Sequence, residues 1–148
     1  MKSFLFIITI LTLVSCNNSN TKVETEVLKS ETNSSISKQN YLEVYCFHGT
    51  RQCETCKNMK ANTKTTLDTY FASQLKDSSV IFKIIDVDDI QNEKIAEKFQ
   101  ATGTALMINK VVNGKDSIID WSDFAFEKAN NEAEYITELR TKLQSVLK

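Results

Sequence analysis

Cys53-Glu54-Thr55-Cys56 places two thiols on either side of a two-residue gap, just after an apolar run that ends at Phe47 and just before a helix-like stretch. A strand that delivers a dithiol to the start of a helix makes one sulfur acidic and the pair reversibly oxidisable. The thiolate meets unpaired backbone N–H groups and the positive end of the helix dipole, which can lower a thiol pKa from about 8.5 to roughly 3.5–7.5. Arg51 and Lys57 flank the pair and favour the thiolate, whereas Glu54 opposes it. His48, the single histidine, stands five positions before Cys53. It can tune the thiolate or relay protons, or it can be a loop histidine bonded to backbone.

Other chemistries fit the same residues. A zinc or soft-metal site normally needs four protein ligands, and only Cys46 and His48 stand near enough in sequence to join Cys53 and Cys56. A purely structural disulfide across so short a gap closes a tiny loop and stabilises little through chain entropy. Cys46 lies within a strand pattern and reads as a core thiol ahead of a third redox centre. Asp86, Asp88 and Asp89 read as a solvated strand end ahead of a cation site.

The elements that must position the dithiol are legible from periodicity. Tyr41 to Phe47 is aromatic and β-branched and reads as a strand, with His48 to Gln52 as a loop. A helix is expected from about Cys53 to Leu75, with Cys56, Met59, Thr63, Leu67, Tyr70, Phe71 and Gln74 at three- and four-residue steps. Val80 to Val87 is almost continuously apolar, as a central strand would be. A short helix over Ile90 to Phe99 turns Ile95, Ala96 and Phe99 inward. Strands at Ala105–Val112 and Asp116–Asp120 flank Asn113-Gly114, a strong hairpin signal. An irregular link carries Trp121, Phe124 and Phe126, with Trp121 and Phe126 read as packing residues. A last helix from Glu132 to Leu147 has one stripe of Tyr135, Ile136, Leu139, Leu143, Val146 and Leu147.

The 148 residues suffice for one domain with a modest core, and a formal net charge of −1 gives no basic surface for nucleic acid. Ahead of that domain, Lys2 and the apolar stretch Phe4 to Val14 suit an export signal and are too short for a membrane-spanning helix of about 20 residues. Leu13-Val14-Ser15-Cys16 resembles a bacterial lipobox, whose cysteine becomes the lipidated first residue after cleavage. An ordinary signal peptide with an incidental Cys16 is the other reading. Residues 17–39 are rich in Asn, Ser, Thr, Lys and Glu, with too little apolar surface to offset ordering, so they read as a flexible tether. The expected organisation is a lipoprotein signal peptide at 1–15, the lipidated Cys16 and tether at 16–39, and one domain at 40–148.

The order strand, helix, strand, helix, hairpin, helix resembles the thioredoxin-like superfamily, an α/β fold with a central mixed β-sheet flanked by helices. Asp86-Val87-Asp88-Asp89 followed by Lys94-Ile95-Ala96-Glu97-Lys98-Phe99 is similar to that family's strand running into its next helix. Gly103, the apolar strand after it and Asn113-Gly114-Lys115 are similar to the segment leading into the family's antiparallel hairpin. The resemblance covers about residues 41 to 147. It implies that Cys53 is exposed and attacks a substrate disulfide, while the shielded Cys56 resolves the mixed disulfide. His48, Arg51, Glu54, Thr55, Lys57, Thr104 and Ala105 would then tune the site or touch substrate.

Three departures from the family pattern stand out. The chain has no proline, and Ala105 after Thr104 occupies the place of the family's cis-proline, leaving a trans bond or a strained loop there. Tyr45-Cys46-Phe47 supplies no buried acid at the strand end. Gln52, not tryptophan, precedes Cys53. The Glu-Thr spacer favours a reducing or intermediate potential. The implied activity is thiol–disulfide exchange with protein thiols or disulfides, or electron relay from a membrane thiol reductant. It needs no cofactor and no resident metal. The implied location is extracytoplasmic, lipid-anchored to a bacterial membrane on its periplasmic side or at the cell surface. A soft-metal-binding protein on the same scaffold is the rival, and a non-catalytic adaptor a third reading.

Overall fold

A computed structural model describes residues 40–148. The expected signal peptide, Cys16 and the tether lie outside the described residues. Strand β1 (Tyr41–His48) alternates its side chains between two cores. Leu42, Val44 and Cys46 meet Met59 and Leu67 of α1 (Glu54–Tyr70) and Tyr135, Leu139 and Leu143 of α5 (Glu132–Val146). On the opposite face, Tyr45 and Phe47 pack with Phe99, Ala101, Ala105 and Met107 beneath α3 (Glu93–Phe99).

Four strands form one mixed sheet in the order β2-β1-β3-β4. β2 (Val80–Asp86) runs parallel to β1, pairing Leu42 with Val80 and His48 with Asp86. β3 (Ala105–Val112) is antiparallel to β1, with Phe47 opposite Ala105. β4 (Lys115–Asp120) returns beside β3. Asn113 and Gly114 make that turn at φ 54° and 77°, the left-handed pair that a tight hairpin requires. With helices on both faces, this is an α/β thioredoxin-like fold, as the element order implies.

Four local expectations change. β2 is an edge of the described sheet, not a central strand: only Val80 is buried, and Ile84 is 45% exposed. Its apolar run reflects partial cover on both faces, Phe82 joining one core and Ile85 the other. The long helix breaks at Phe71, where φ of −128° leaves the helical region and separates α1 from α2 (Ala72–Lys76). The break lets Phe71 reach the core together with Leu75. Ile90–Asn92 forms a 3-10 turn before α3. The supposed irregular link contains α4 (Ser122–Lys128), whose Ala125 is buried and whose following Ala129 closes against the core. Seven residues are too few for periodicity to announce a helix, so packing supplies the stability that propensity does not.

Candidate redox site

Every loop of the site leaves the same end of the sheet. β1 ends at His48, whose carbonyl accepts from Val87 N at 2.8 Å. One residue on, Asp88 reaches across: its Oδ2 accepts from Thr50 N at 2.7 Å. Gly49 permits this approach, because a Cβ there would stand 3.1 Å from the same carboxylate oxygen. The backbone N–H of Thr50, then its hydroxyl, hold the Asp88 carboxyl below the usual aspartate range, with a smaller contribution from His48. The loop from β1 to the dithiol is therefore clamped to the end of β2.

Cys53 is the N-cap of α1 and is joined to Cys56 by a disulfide, with Cα atoms 5.1 Å apart. Cys53 is exposed, whereas Cys56 is 8% exposed. The Cys56 N–H donates to Cys53 Sγ at 3.2 Å, and Lys57 N donates to the Cys53 carbonyl at 3.1 Å, opening the helix. In the reduced state the same N–H faces the Cys53 thiolate at the positive end of a 17-residue helix. One sulfur is thus accessible and electrostatically stabilised, and its partner is shielded.

The surrounding charges contribute less. Lys57 Nζ lies 3.7 Å from Glu54 Oε2, and both side chains are more than half exposed, so solvent screens the pair and the two charges offset each other at the thiol. Arg51 is exposed. Gln52 Oε1 accepts from Lys60 Nζ at 2.8 Å, tying the residue before Cys53 to the helix it enters. Thr55 Oγ1 accepts from Asn130 Nδ2 at 3.4 Å, and Asn58 donates to Asn130 Oδ1 at 3.1 Å. Asn62 donates to the Ala129 carbonyl at 3.0 Å. These contacts fix the head of α1 against the turn between α4 and α5.

His48 Nδ1 hydrogen-bonds the Gly49 carbonyl at 3.0 Å, so the ring's Nδ1 carries the proton and its partner is backbone. Ala105 is buried opposite Phe47, and the half-buried Thr104 leads into it from the same sheet end. No cis peptide bond occurs among the described residues, so the Thr104–Ala105 bond is trans.

Cys46 belongs to the core. It points beneath α1, and burial pushes its thiol up to about 12, with the Thr63 hydroxyl a weaker opposing influence. Thr63 in turn shares a 2.7 Å hydrogen bond with the buried Tyr135 hydroxyl and donates to the Met59 carbonyl at 2.9 Å.

Two features escaped the sequence reading. Asp88 is a clamp on the dithiol loop as well as part of a strand end; its spacing to Thr50 carries no local signal. β1 also holds a buried acid, Glu43, on the α3 face and well before the strand's end. Its carboxylate accepts from Tyr45 Oη at 3.0 Å, Lys83 Nζ at 2.9 Å and Asn109 Nδ2 at 2.8 Å. Asn109 donates onward to Asp116, which pairs with Lys98 of α3 at 2.8 Å. The signal available was a glutamate and a lysine inside two otherwise apolar strands.

No family model and no curated protein matches the chain. Among solved structures, it is similar to Fasciola hepatica thioredoxin, at 24% identity over 69% of this chain and 80% of that one, with a TM-score of 0.40. A malarial protein is similar at 18% identity over 66% of this chain and 96% of that one, with a TM-score of 0.39. A thioredoxin-like fold with a disulfide at this spacing supports thiol–disulfide oxidoreductase chemistry in general.

Proposed function

We propose that the protein is a membrane-tethered, extracytoplasmic thiol–disulfide oxidoreductase acting on protein partners through Cys53 and Cys56. One observation carries the chemistry: an exposed sulfur at a helix N-cap, bonded to the backbone N–H of a buried second cysteine. The Cys53 thiolate attacks one sulfur of a partner disulfide, forming a mixed disulfide and expelling the other sulfur as a thiolate. The Cys56 thiolate then attacks Cys53 Sγ and releases the second partner thiolate. Two electrons and two protons leave the dithiol, and a thiol reductant at the membrane restores it.

Tethering rests on Lys2, the apolar Phe4–Val14 stretch and Leu13-Val14-Ser15-Cys16. The metal-binding rival gains no support: Cys46, the thiolate it would recruit, sits in the core with its pKa raised to about 12.

Equilibration in glutathione buffers tests the activity, alongside Cys56→Ser used to trap partners. A reversible two-electron couple and trapped mixed disulfides at Cys53 support the proposal. Stoichiometric retained metal with no trapped partner overturns it. For the anchor, Cys16→Ser should release the protein from membranes, and retained lipid-type anchorage would refute lipidation there.

A further inference from the structure

Beside the redox site, the turn after β2 and helix α3 enclose a groove of about 370 Å³. Val87, Ala96 and Ala101 form its apolar floor, the last two buried. Ile90 stands at its lip, 76% exposed, the most exposed of the large hydrophobic side chains among the described residues. Burying that side chain on a partner removes apolar surface from water, which favours association. The α3 C-terminus shapes one wall: Gln100 adopts the left-handed conformation at φ 54°, and Ala101 N donates to the Ala96 carbonyl at 2.9 Å.

The rim is of one sign. Asp88, Asp89, Glu93 and Glu97 line the groove, all exposed, and no lysine or arginine lines it. Among the described residues none of the four has an ion-pair partner; the nearby Lys98 is committed to Asp116. Four uncompensated carboxylates around an apolar floor repel acidic chains and attract basic ones.

The groove also runs into the dithiol's own loops. Asp88, on its rim, is the residue that holds Thr50, three positions before Cys53. Thr102, at its other end, is two positions before Thr104. The geometry points to a substrate-docking surface: the groove seats a polypeptide segment with an apolar residue flanked by lysine or arginine, and presents that segment's disulfide to Cys53. This inference rests on the oxidoreductase reading and names the substrate class of that site.

The test uses the reduced full-length protein and two synthetic peptides. Each carries one cysteine as a mixed disulfide with thionitrobenzoate and one leucine, flanked by lysines in one peptide and glutamates in the other. Attack by the Cys53 thiolate on the peptide sulfur expels the coloured thionitrobenzoate anion; Cys56 then closes the protein disulfide and frees the peptide thiol. Each rate is divided by the same protein's rate with hydroxyethyl disulfide, an uncharged reagent that reports the dithiol alone. The basic peptide should react at least about tenfold faster at low ionic strength, and the gap should close in high salt. Glu93→Lys/Glu97→Lys leaves two carboxylates against two ammonium groups on the rim and should abolish the preference, and Ile90→Ser should erase the advantage of the basic peptide over a third, basic peptide with glycine in place of leucine. Equal normalised rates for the two peptides, or a preference that the charge reversal leaves intact, would overturn the docking inference while the dithiol chemistry stands. Failure to react even with hydroxyethyl disulfide would instead remove the oxidoreductase reading, and the docking surface with it.

Discussion

Helix α1 has a thiol at its head and another beneath it, and the two regions treat the same functional group in opposite ways. Cys53 lies in water at the N-cap, where a backbone N–H points at its sulfur. Cys46 lies 1% exposed between β1 and α1, where burial raises its pKa to about 12. Both belong to the same strand–loop–helix unit, seven positions apart. Reactivity is therefore a property of where the backbone ends its own hydrogen bonding. At the helix head four N–H groups lack intrahelical partners and can stabilise an anion, whereas the underside offers apolar carbon and one hydroxyl.

The sharpest way to break this contrast is Cys53→Ser, which should abolish disulfide exchange while Cys46 stays intact; measurable turnover of a disulfide reagent by that variant would reassign the chemistry. In the reduced wild type at pH 7, iodoacetamide should label Cys53 at least about a thousandfold faster than Cys46, read by mass spectrometry, because the buried thiol holds almost no thiolate. Comparable labelling would mean that the underside of α1 opens readily. Cys46→Ala should cost about 1 kcal/mol in urea unfolding through lost packing and leave the dithiol's reduction potential unchanged. A shifted potential would tie the core thiol to the site.

The other face of β1 offers a pH-dependent comparison. Burial alone would raise the Glu43 pKa, but hydrogen bonds from Lys83, Asn109 and Tyr45 outweigh it and hold the carboxyl below its ordinary value of 4.5. A group whose pKa is lower folded than unfolded stabilises the fold above its unfolded pKa and loses that contribution as pH falls through the folded value. The wild type should therefore lose stability below about pH 4.5, and Glu43→Gln should flatten that part of the profile. Identical slopes in urea unfolding would contradict the network's role. The smallest effect is expected at the clamp. Asp88→Ala removes the acceptor for Thr50 N and should change the Cys53 alkylation rate by a few-fold, with its pH midpoint displaced, since a loosened loop no longer fixes the N-cap. An unchanged midpoint would show that α1 alone positions the thiol.

Much of the site was legible because its signals are local. Cys53 and Cys56 face a strand end on one side and a helical repeat on the other, and both patterns are read within a dozen residues. Strand β3 is found over Ala105–Val112, ending at the Asn113-Gly114 turn as expected. β2 misled, since an apolar run records partial cover on two faces and says nothing of how many neighbours a strand has. Phe71 misled differently: its spacing fits the helix, but the backbone turns out of the helix to send the ring inward.

Composition and periodicity by themselves determined the order of the strands and longer helices, the dithiol's place at the head of α1 and the hairpin, because each depends on residues adjacent in the chain. Only the tertiary structure decided that β2 is an edge of the described sheet, that Thr104–Ala105 is trans, that Cys46 is buried beneath α1 and that Asp88 grips Thr50 across 38 positions. Those outcomes depend on which distant segments share a surface, and a local pattern of side chains holds no record of that choice until the sheet has closed.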